Sequence, residues 1–213
     1  MIKLEKKPKP KVLEENEEAW TKEYQLLMNG DNTVPKAAKF RYRHPDIKKT
    51  LKEEAFDKCI FCESKISHTF PGETDHIIPV SKMHASVVSW ENLAYVCKEC
   101  NRHKSDFYDV NTPLINPFVD DPNDHLLFLG PIVFSKPNDQ RGEITRSLLQ
   151  LSRAPLVERK KERLEKVKSL LDSLESFPEG DAKEFMREQA MLEASSDKEY
   201  SATVKNFLNA MGL

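Results

Sequence analysis

The 213-residue chain has no apolar run that approaches the roughly 20 residues a membrane-spanning helix needs. Its N-terminus lacks the apolar core of a signal peptide. There is no internal repeat and no low-complexity tract. These absences lead us to expect a cytoplasmic protein with no membrane partner. Excess charge is missing too: 33 Lys and Arg stand against 35 Asp and Glu, a formal net charge of −2, so no global basic field draws in nucleic acid. Cysteine is scarce, with four in all. In a chain with no export signal they read as thiolates on a metal rather than as disulfides.

Charged residues make up 32% of the chain and hydrophobic residues 38%, which allows a modest core and leaves surface to meet a partner. The charge is uneven. Residues 1–12 carry Lys3, Lys6, Lys7, Lys9 and Lys11, and residues 41–58 carry Arg41, Arg43, Lys48, Lys49, Lys52 and Lys58. Clusters of this kind can follow a phosphate backbone, although solvated surface is the simpler reading of any one of them.

Three segments follow from the pattern. Residues 1–57 form an N-terminal extension. Its Lys/Pro-rich start is extended, one helix begins near Asn16 with Glu17 and Glu18 in its first turn, and a linker covers residues 31–38. A second helix then opens at Pro45 with Ile47, Leu51 and Ala55 on one face. Residues 58–110 hold the chemistry. Residues 111–213 contain an irregular proline-rich stretch, a small hairpin around Gly130-Pro131, and C-terminal helices. The helix from about Ala154 carries an apolar seam at Leu164, Val167, Leu171 and Leu174.

Cys59-x-x-Cys62 and Cys97-x-x-Cys100 have the two-pair spacing of a tetrahedral zinc site. A full thiolate set leaves no open coordination position, so this zinc is expected to be structural. Beside the pairs sit Asp75-His76 and, directly after the last cysteine, Asn101. These residue types can hold a divalent cation on a phosphate and deprotonate a water, which points to a metal-dependent nuclease. Residues 72–79 read as a short strand ended by Pro79, and residues 94–96 as a second strand. Asn101-Arg102-His103-Lys104 are expected to begin a helix. Alternation along the strand puts Asp75 and His76 on opposite sides unless it bends. Two strands and a helix pinned by zinc would gather Asp75, His76, Asn101 and Lys104 at one edge. Arg102 and His103 are candidate phosphate contacts. His68 and His84 lie in flanking loops. Asp120, Asp121 and Asp124 form an acidic loop that turn chemistry explains.

Asp75-His76-Ile77-Ile78-Pro79, Glu91-Asn92-Leu93 and Cys97-x-x-Cys100-Asn101-x-x-Lys104 together resemble the HNH endonucleases. The resemblance implies an α+β protein whose small, zinc-stapled, treble-clef-like ββα-metal core carries mainly helical extensions at both ends. It implies His76 as general base, and Asp75 and Asn101 as ligands of one catalytic Mg²⁺ or Mn²⁺. Asn92 would hold the loop that orients His76, and Lys104 would occupy a basic position near the phosphate. Many members have a second metal-binding histidine where this chain has Asn101. An oxygen ligand there suits Mg²⁺ better than Zn²⁺.

More loosely, most of the chain is similar to the HNH subunit of Septu-type anti-phage defence systems, which also accompanies some retrons. The similarity rests on the opening Met1-Ile2-Lys3 with Trp20, on Lys58 to Glu63, on Leu114-Ile115-Asn116-Pro117 with Asp121-Pro122, and on residues 141–159 with Leu148, Leu151, Arg153 and Leu156. It implies a bacterial nuclease that acts on nucleic acid, DNA first and RNA such as tRNA second. Its partner would be an ABC-like ATPase or a retron reverse transcriptase complex, docked through residues 1–30 or the C-terminal helices. The rival class is a non-catalytic zinc module that binds nucleic acid or protein. Such a module has no need of a base beside a cation site.

Overall fold

Pro10 starts the first helix. It has no N–H, its φ is −60°, and its carbonyl accepts from the amides of Leu13 (2.8 Å) and Glu14 (3.1 Å). Helix α1 therefore runs Lys11–Met28, ahead of the expected start at Asn16, and its first-turn acid is Glu14 rather than Glu17 and Glu18. Asn16 bonds back to the Val12 carbonyl at 2.9 Å inside the helix. In this computed structural model residues 1–67 and 71–213 are described, so His68 lies outside the described residues.

Residues 1–10 have no regular structure, but they are tied down. Lys6 Nζ donates to Leu93 O (2.6 Å) and Glu54 Oε1 (2.9 Å) and sits 4.0 Å from the Trp90 ring centroid. The indole of Trp90 donates to Lys7 O at 2.8 Å, and Leu4 N donates to Pro117 O at 2.9 Å. Burial pulls the Lys6 pKa down and pushes the Glu54 pKa up, with their mutual contact only partly offsetting it. The pair therefore specifies where the strap lies more than it stabilises the fold.

After α1 the expected linker is shorter than its sequence suggested, because Lys36–Arg43 forms a 3-10 segment. Helix α2, Pro45–Glu54, has its proline in the first turn and buries Ile47 and Leu51, with Ala55 just beyond its end. Strands β1 (Glu73–His76) and β2 (Leu93–Val96) pair antiparallel, with Asp75 opposite Ala94 and His76 opposite Leu93. Helix α3, Lys98–Lys104, begins at Cys97 and not at Asn101. Asn101, Arg102, His103 and Lys104 thus fall in its second half, and its N-terminal end points into the cysteine cluster. Strands β3 (Leu126–Leu129) and β4 (Ile132–Ser135) make the hairpin, turning at Gly130 with φ +56°. Helix α4, Gln140–Leu148, was not expected. Asp139 Oδ1 caps it by accepting from Gly142 N at 2.7 Å. Helices α5 (Ala154–Leu174), α6 (Asp181–Leu192) and α7 (Ser201–Ala210) complete the chain.

One apolar core runs through Leu13, Leu51, Cys59, Trp90, Tyr95, Ile115, Leu151 and Tyr200, so it draws on all three segments. A smaller one joins the α5 seam, Leu164, Val167, Leu171 and Leu174, to Ala190, Val204 and Leu208. The two strands, α3 and the cysteine cluster form the ββα core, and the helical flanks pack onto it. No helix among the described residues is long and apolar enough to cross a membrane.

Gly72, at the entry to β1, has φ +66°, and a Cβ there would lie 2.3 Å from the Tyr95 ring. Gly72→Ala should therefore destabilise the protein by about 1–3 kcal/mol through strain and overpacking, read as a lower urea midpoint. An unchanged midpoint would contradict this close approach.

Candidate active site and metal centre

The Sγ atoms of Cys59, Cys62, Cys97 and Cys100 all lie within 4.8 Å of one another, and no described cysteine is in a disulfide. Bonds of about 2.3 Å at tetrahedral angles put ligand sulfurs about 3.8 Å apart, which is the separation of the Cys62 and Cys97 sulfurs, 3.8 Å. Donor set and spacing therefore suit one structural zinc. Arg153 Nη2 lies 3.8 Å from Cys100 Sγ. Burial works against its charge, but the sulfurs of Cys100, Cys62 and Cys97 outweigh it and raise the Arg153 pKa. A guanidinium beside four thiolates partly offsets their excess negative charge.

A cleft of about 330 Å³ opens on the other side of the ββα core. Asp75, His76, Lys104 and Ser105 line one wall, and Tyr24, Met28, Lys39, Phe40 and Tyr42 line the opposite one. Asp75 and His76 do leave β1 on different sides, yet both border the cleft because the strand stops at His76. Glu73 and Asp75, two apart, share the side that meets α3. Asn101 Nδ2 donates to Glu73 Oε2 at 2.6 Å, and Lys104 Nζ sits 3.0 Å from Asp75 Oδ2. The Lys104 contact is an ion pair by distance only. Asp75 Oδ2 is buried and accepts no well-aligned hydrogen bond. A buried carboxylate oxygen with an ionic neighbour and no hydrogen bond keeps lone pairs that can serve a cation. The bond from Nδ2 also leaves Asn101 Oδ1 with no donor among the described residues.

His76 is buried, and its Nε2 lies 2.7 Å from Val87 O. A carbonyl only accepts, so Nε2 carries the proton and Nδ1 of the neutral ring is the basic nitrogen. Burial outweighs the pull of the Val87 carbonyl and Asp75 and, together with Lys104 and Arg43, holds the His76 pKa below the usual imidazole value. The Tyr42 ring stands edge-on to the imidazole, with centroids 4.6 Å apart. Asn92 bonds four groups of the neighbouring loop. Its Oδ1 accepts from Ile78 N (2.7 Å), and its Nδ2 donates to Ile78 O (2.9 Å), Ser86 Oγ (3.0 Å) and Ser86 O (3.3 Å). Ser86 precedes Val87, so Asn92 fixes the carbonyl that fixes His76, without lining the cleft itself.

Asp75, His76 and Lys104 thus border one space, while Asn101 and its partner Glu73 are not among the residues that line it. Arg102 and His103 do not line the cleft. Arg102 Nη2 bonds Glu99 (2.8 Å) and His103 Nε2 (3.1 Å) on the outer side of α3. Most of the cationic clusters are also spoken for. Lys7, Lys9 and Lys11 pair with Glu53, Glu17 and Glu15, and Lys58 is buried against Glu63. The acidic loop is internal: Asp120 pairs with Arg141 at 2.6 Å, and Asp121 caps a short turn. Glu73, Tyr42 and the Val87 carbonyl were not anticipated. The spacing of Glu73 from Asp75 on one strand could have revealed the first. Nothing local signals the other two.

A family model for HNH endonuclease matches residues 59–107, which span both cysteine pairs and β1, β2 and α3. The Septu protein PtuB of Bacillus thuringiensis is 30% identical over 98% of this chain and 82% of its own length. The chain belongs to the PtuB family of Septu proteins. The Septu protein PtuB of Bacillus mycoides strain KBAB4 is 27% identical over 98% of this chain and 81% of its own length. With the HNH match, this makes the chain an HNH nuclease of a Septu defence system. The similarity to PtuB proteins runs well beyond the HNH segment. It covers 98% of this chain.

Structural zinc typically contributes on the order of 10–16 kcal/mol, comparable to or above the roughly 5–15 kcal/mol by which a domain is stable. Cys59→Ser and Cys100→Ser should therefore lose zinc and helical circular dichroism together. A Cys59→Ser protein that is folded and zinc-free by elemental analysis would refute the structural role.

Proposed function

We propose that the cleft hydrolyses phosphodiester bonds of DNA with His76 as the general base. The observation that carries this reading is the held, neutral imidazole: Nε2 is committed to Val87 O, so Nδ1 can accept a proton from water. Asn92 is a positioning residue that acts through Ser86 and Val87. Asp75 and Asn101 are the proposed ligands of a divalent cation, Mg²⁺ or Mn²⁺, with Glu73 turning the Asn101 amide so that its oxygen is free. Such a cation would neutralise charge on the leaving oxygen. Lys104, buried beside Asp75, contributes a fixed positive charge to the same wall.

We further propose that the nuclease works in complex with an ABC-like ATPase. The Septu assignment and the surplus of chain over the ββα core support this. The proposed docking surface is residues 1–30 or the C-terminal helices, where α6 and the end of α7 leave Phe185, Met191, Leu192 and Met211 exposed. Residues 1–30 and the start of α7 are packed into the molecule, so deleting them would dismantle the fold rather than a contact. Co-purification of the intact chain with the ATPase encoded beside it is the appropriate test. A chain that never retains the ATPase would stand as a nuclease acting alone.

His76→Ala should lower cleavage of DNA by about 10²–10⁴ while circular dichroism and zinc content stay unchanged. Asp75→Asn should also lose activity and recover part of it at high Mn²⁺. Because the His76 pKa is lowered, the neutral base persists below the ordinary imidazole value. The wild-type rate should be flat above about pH 6.5 and fall only below it. Wild-type cleavage by His76→Ala, or an acid limb centred above pH 7, would remove the general-base role.

A further inference from the structure

The 3-10 segment Lys36–Arg43 has the sequence KAAKFRYR, with four cationic residues and no acid in eight positions. Arg41 is paired with Glu23 at 3.2 Å. No acid pairs with Lys36, Lys39 or Arg43 among the described residues. Phe40 is 52% exposed, a large aromatic left in water at the rim of the cleft that it lines with Lys39 and Tyr42. The Arg43 guanidinium lies 4.8 Å from the Phe40 ring centroid and 5.3 Å from that of Tyr42, and the Tyr42 ring meets His76. An unbroken run of planar groups therefore leads from an exposed aromatic face to the proposed base.

A surface phenylalanine alone is unremarkable. Here it stands beside unpaired cations, in contact with a guanidinium plane, on the wall facing Asp75 and Lys104. Aromatic faces flanked by lysine and arginine are how proteins hold single strands: bases stack on the ring and phosphates lie against the cations. A base inside a duplex has both its faces covered by its neighbours and has none to offer Phe40.

We infer that Lys36–Arg43 is a single-strand-binding wall of the active site, on which Phe40 stacks an unpaired base while Lys39 and Arg43 hold the adjoining phosphates. The substrate is then a strand with an unpaired base beside the cleaved phosphate rather than a regular duplex. This rests on the nuclease reading above and specifies its substrate. Tyr42 acts as a positioning residue between the wall and His76.

Binding separates the two claims, because it needs no turnover. The full-length His76→Ala protein would be titrated against a fluorescein-labelled DNA single strand of about 20 nucleotides and against the matching duplex, by anisotropy. The added Phe40→Ala change should weaken single-strand binding by about 10-fold, within the range of one lost base stack, and duplex binding by less than about 2-fold. Phe40→Trp should restore the loss. Lys39→Ala and Arg43→Ala should each reduce the salt dependence of single-strand affinity by about 0.7 in log–log slope. Equal single-strand affinity with and without Phe40, or equal losses on both probes, would overturn the inference and leave the nuclease reading standing. A Phe40-dependent single-strand affinity in a protein that cleaves nothing would do the reverse.

Discussion

Four sulfurs within 4.8 Å of one another are the constraint on which the rest of the molecule hangs. The first knuckle joins β2 through the Ile60 amide and Tyr95 carbonyl at 3.2 Å, and the second is the first turn of α3. A metal that holds both knuckles therefore sets the angle between sheet and helix, and with it the spacing of Asp75 from Lys104. The constraint also reaches outward. Arg153 leans on Cys100 from the loop before α5. Glu63, next to Cys62, is buried with Lys58 and accepts from Ser201 at 2.7 Å, while Tyr200 meets Ser64 at 3.0 Å. Burial works against the Glu63 charge, yet the Met1 ammonium, Lys58 and Ser201 together hold its pKa down at about 2. The C-terminal helix is thus bolted to the metal centre rather than trailing from it.

The site divides its work between the two sides of a four-residue strand. Glu73 and Asp75 face α3 and meet Asn101 and Lys104. His76 faces away and meets Val87 and Tyr42. The proposed base and the proposed cation ligands are then held by separate sets of bonds. The loop from Ile77 to Asn92 is what keeps them in register. Asn92 ties its two ends together through Ile78 and Ser86, so a residue outside the cleft decides where the imidazole points.

The N-terminal extension is part of the site and not an appendage to it. Helix α1 and the 3-10 segment supply the wall opposite the ββα core, including Tyr24, Lys39, Phe40 and Tyr42. The strap of residues 1–10 ties the start of α1 to α2 and β2 through Lys6, Glu54, Leu93 and Trp90. The lysines of residues 1–12 mostly meet carboxylates or carbonyls of this chain, whereas Lys36, Lys39 and Arg43 have no acid partner among the described residues.

Local chemistry made much of this legible without coordinates. Zinc spacing, the Asp75-His76 pair, the proline at the head of α2, the hairpin at Gly130 and the apolar seam of α5 each depend on a motif or period contained in a few neighbouring residues. What depended on distant neighbours was not legible. The start of α3 moved to Cys97 because the second knuckle is itself helical, and the Lys36–Arg43 segment became structured only against α1 and the cleft. Glu73 took the Asn101 amide, Arg102 and His103 turned away from the cleft, and the lysines of residues 1–12 found carboxylates and carbonyls up to 116 residues away. Sequence by itself thus determined the family, the cysteine quartet and the candidate residues for the site, because coordination and proton transfer require particular side chains at close spacing. Only the tertiary structure decided which charges are free, which side each strand residue faces and what forms the second wall, because long-range packing settles those.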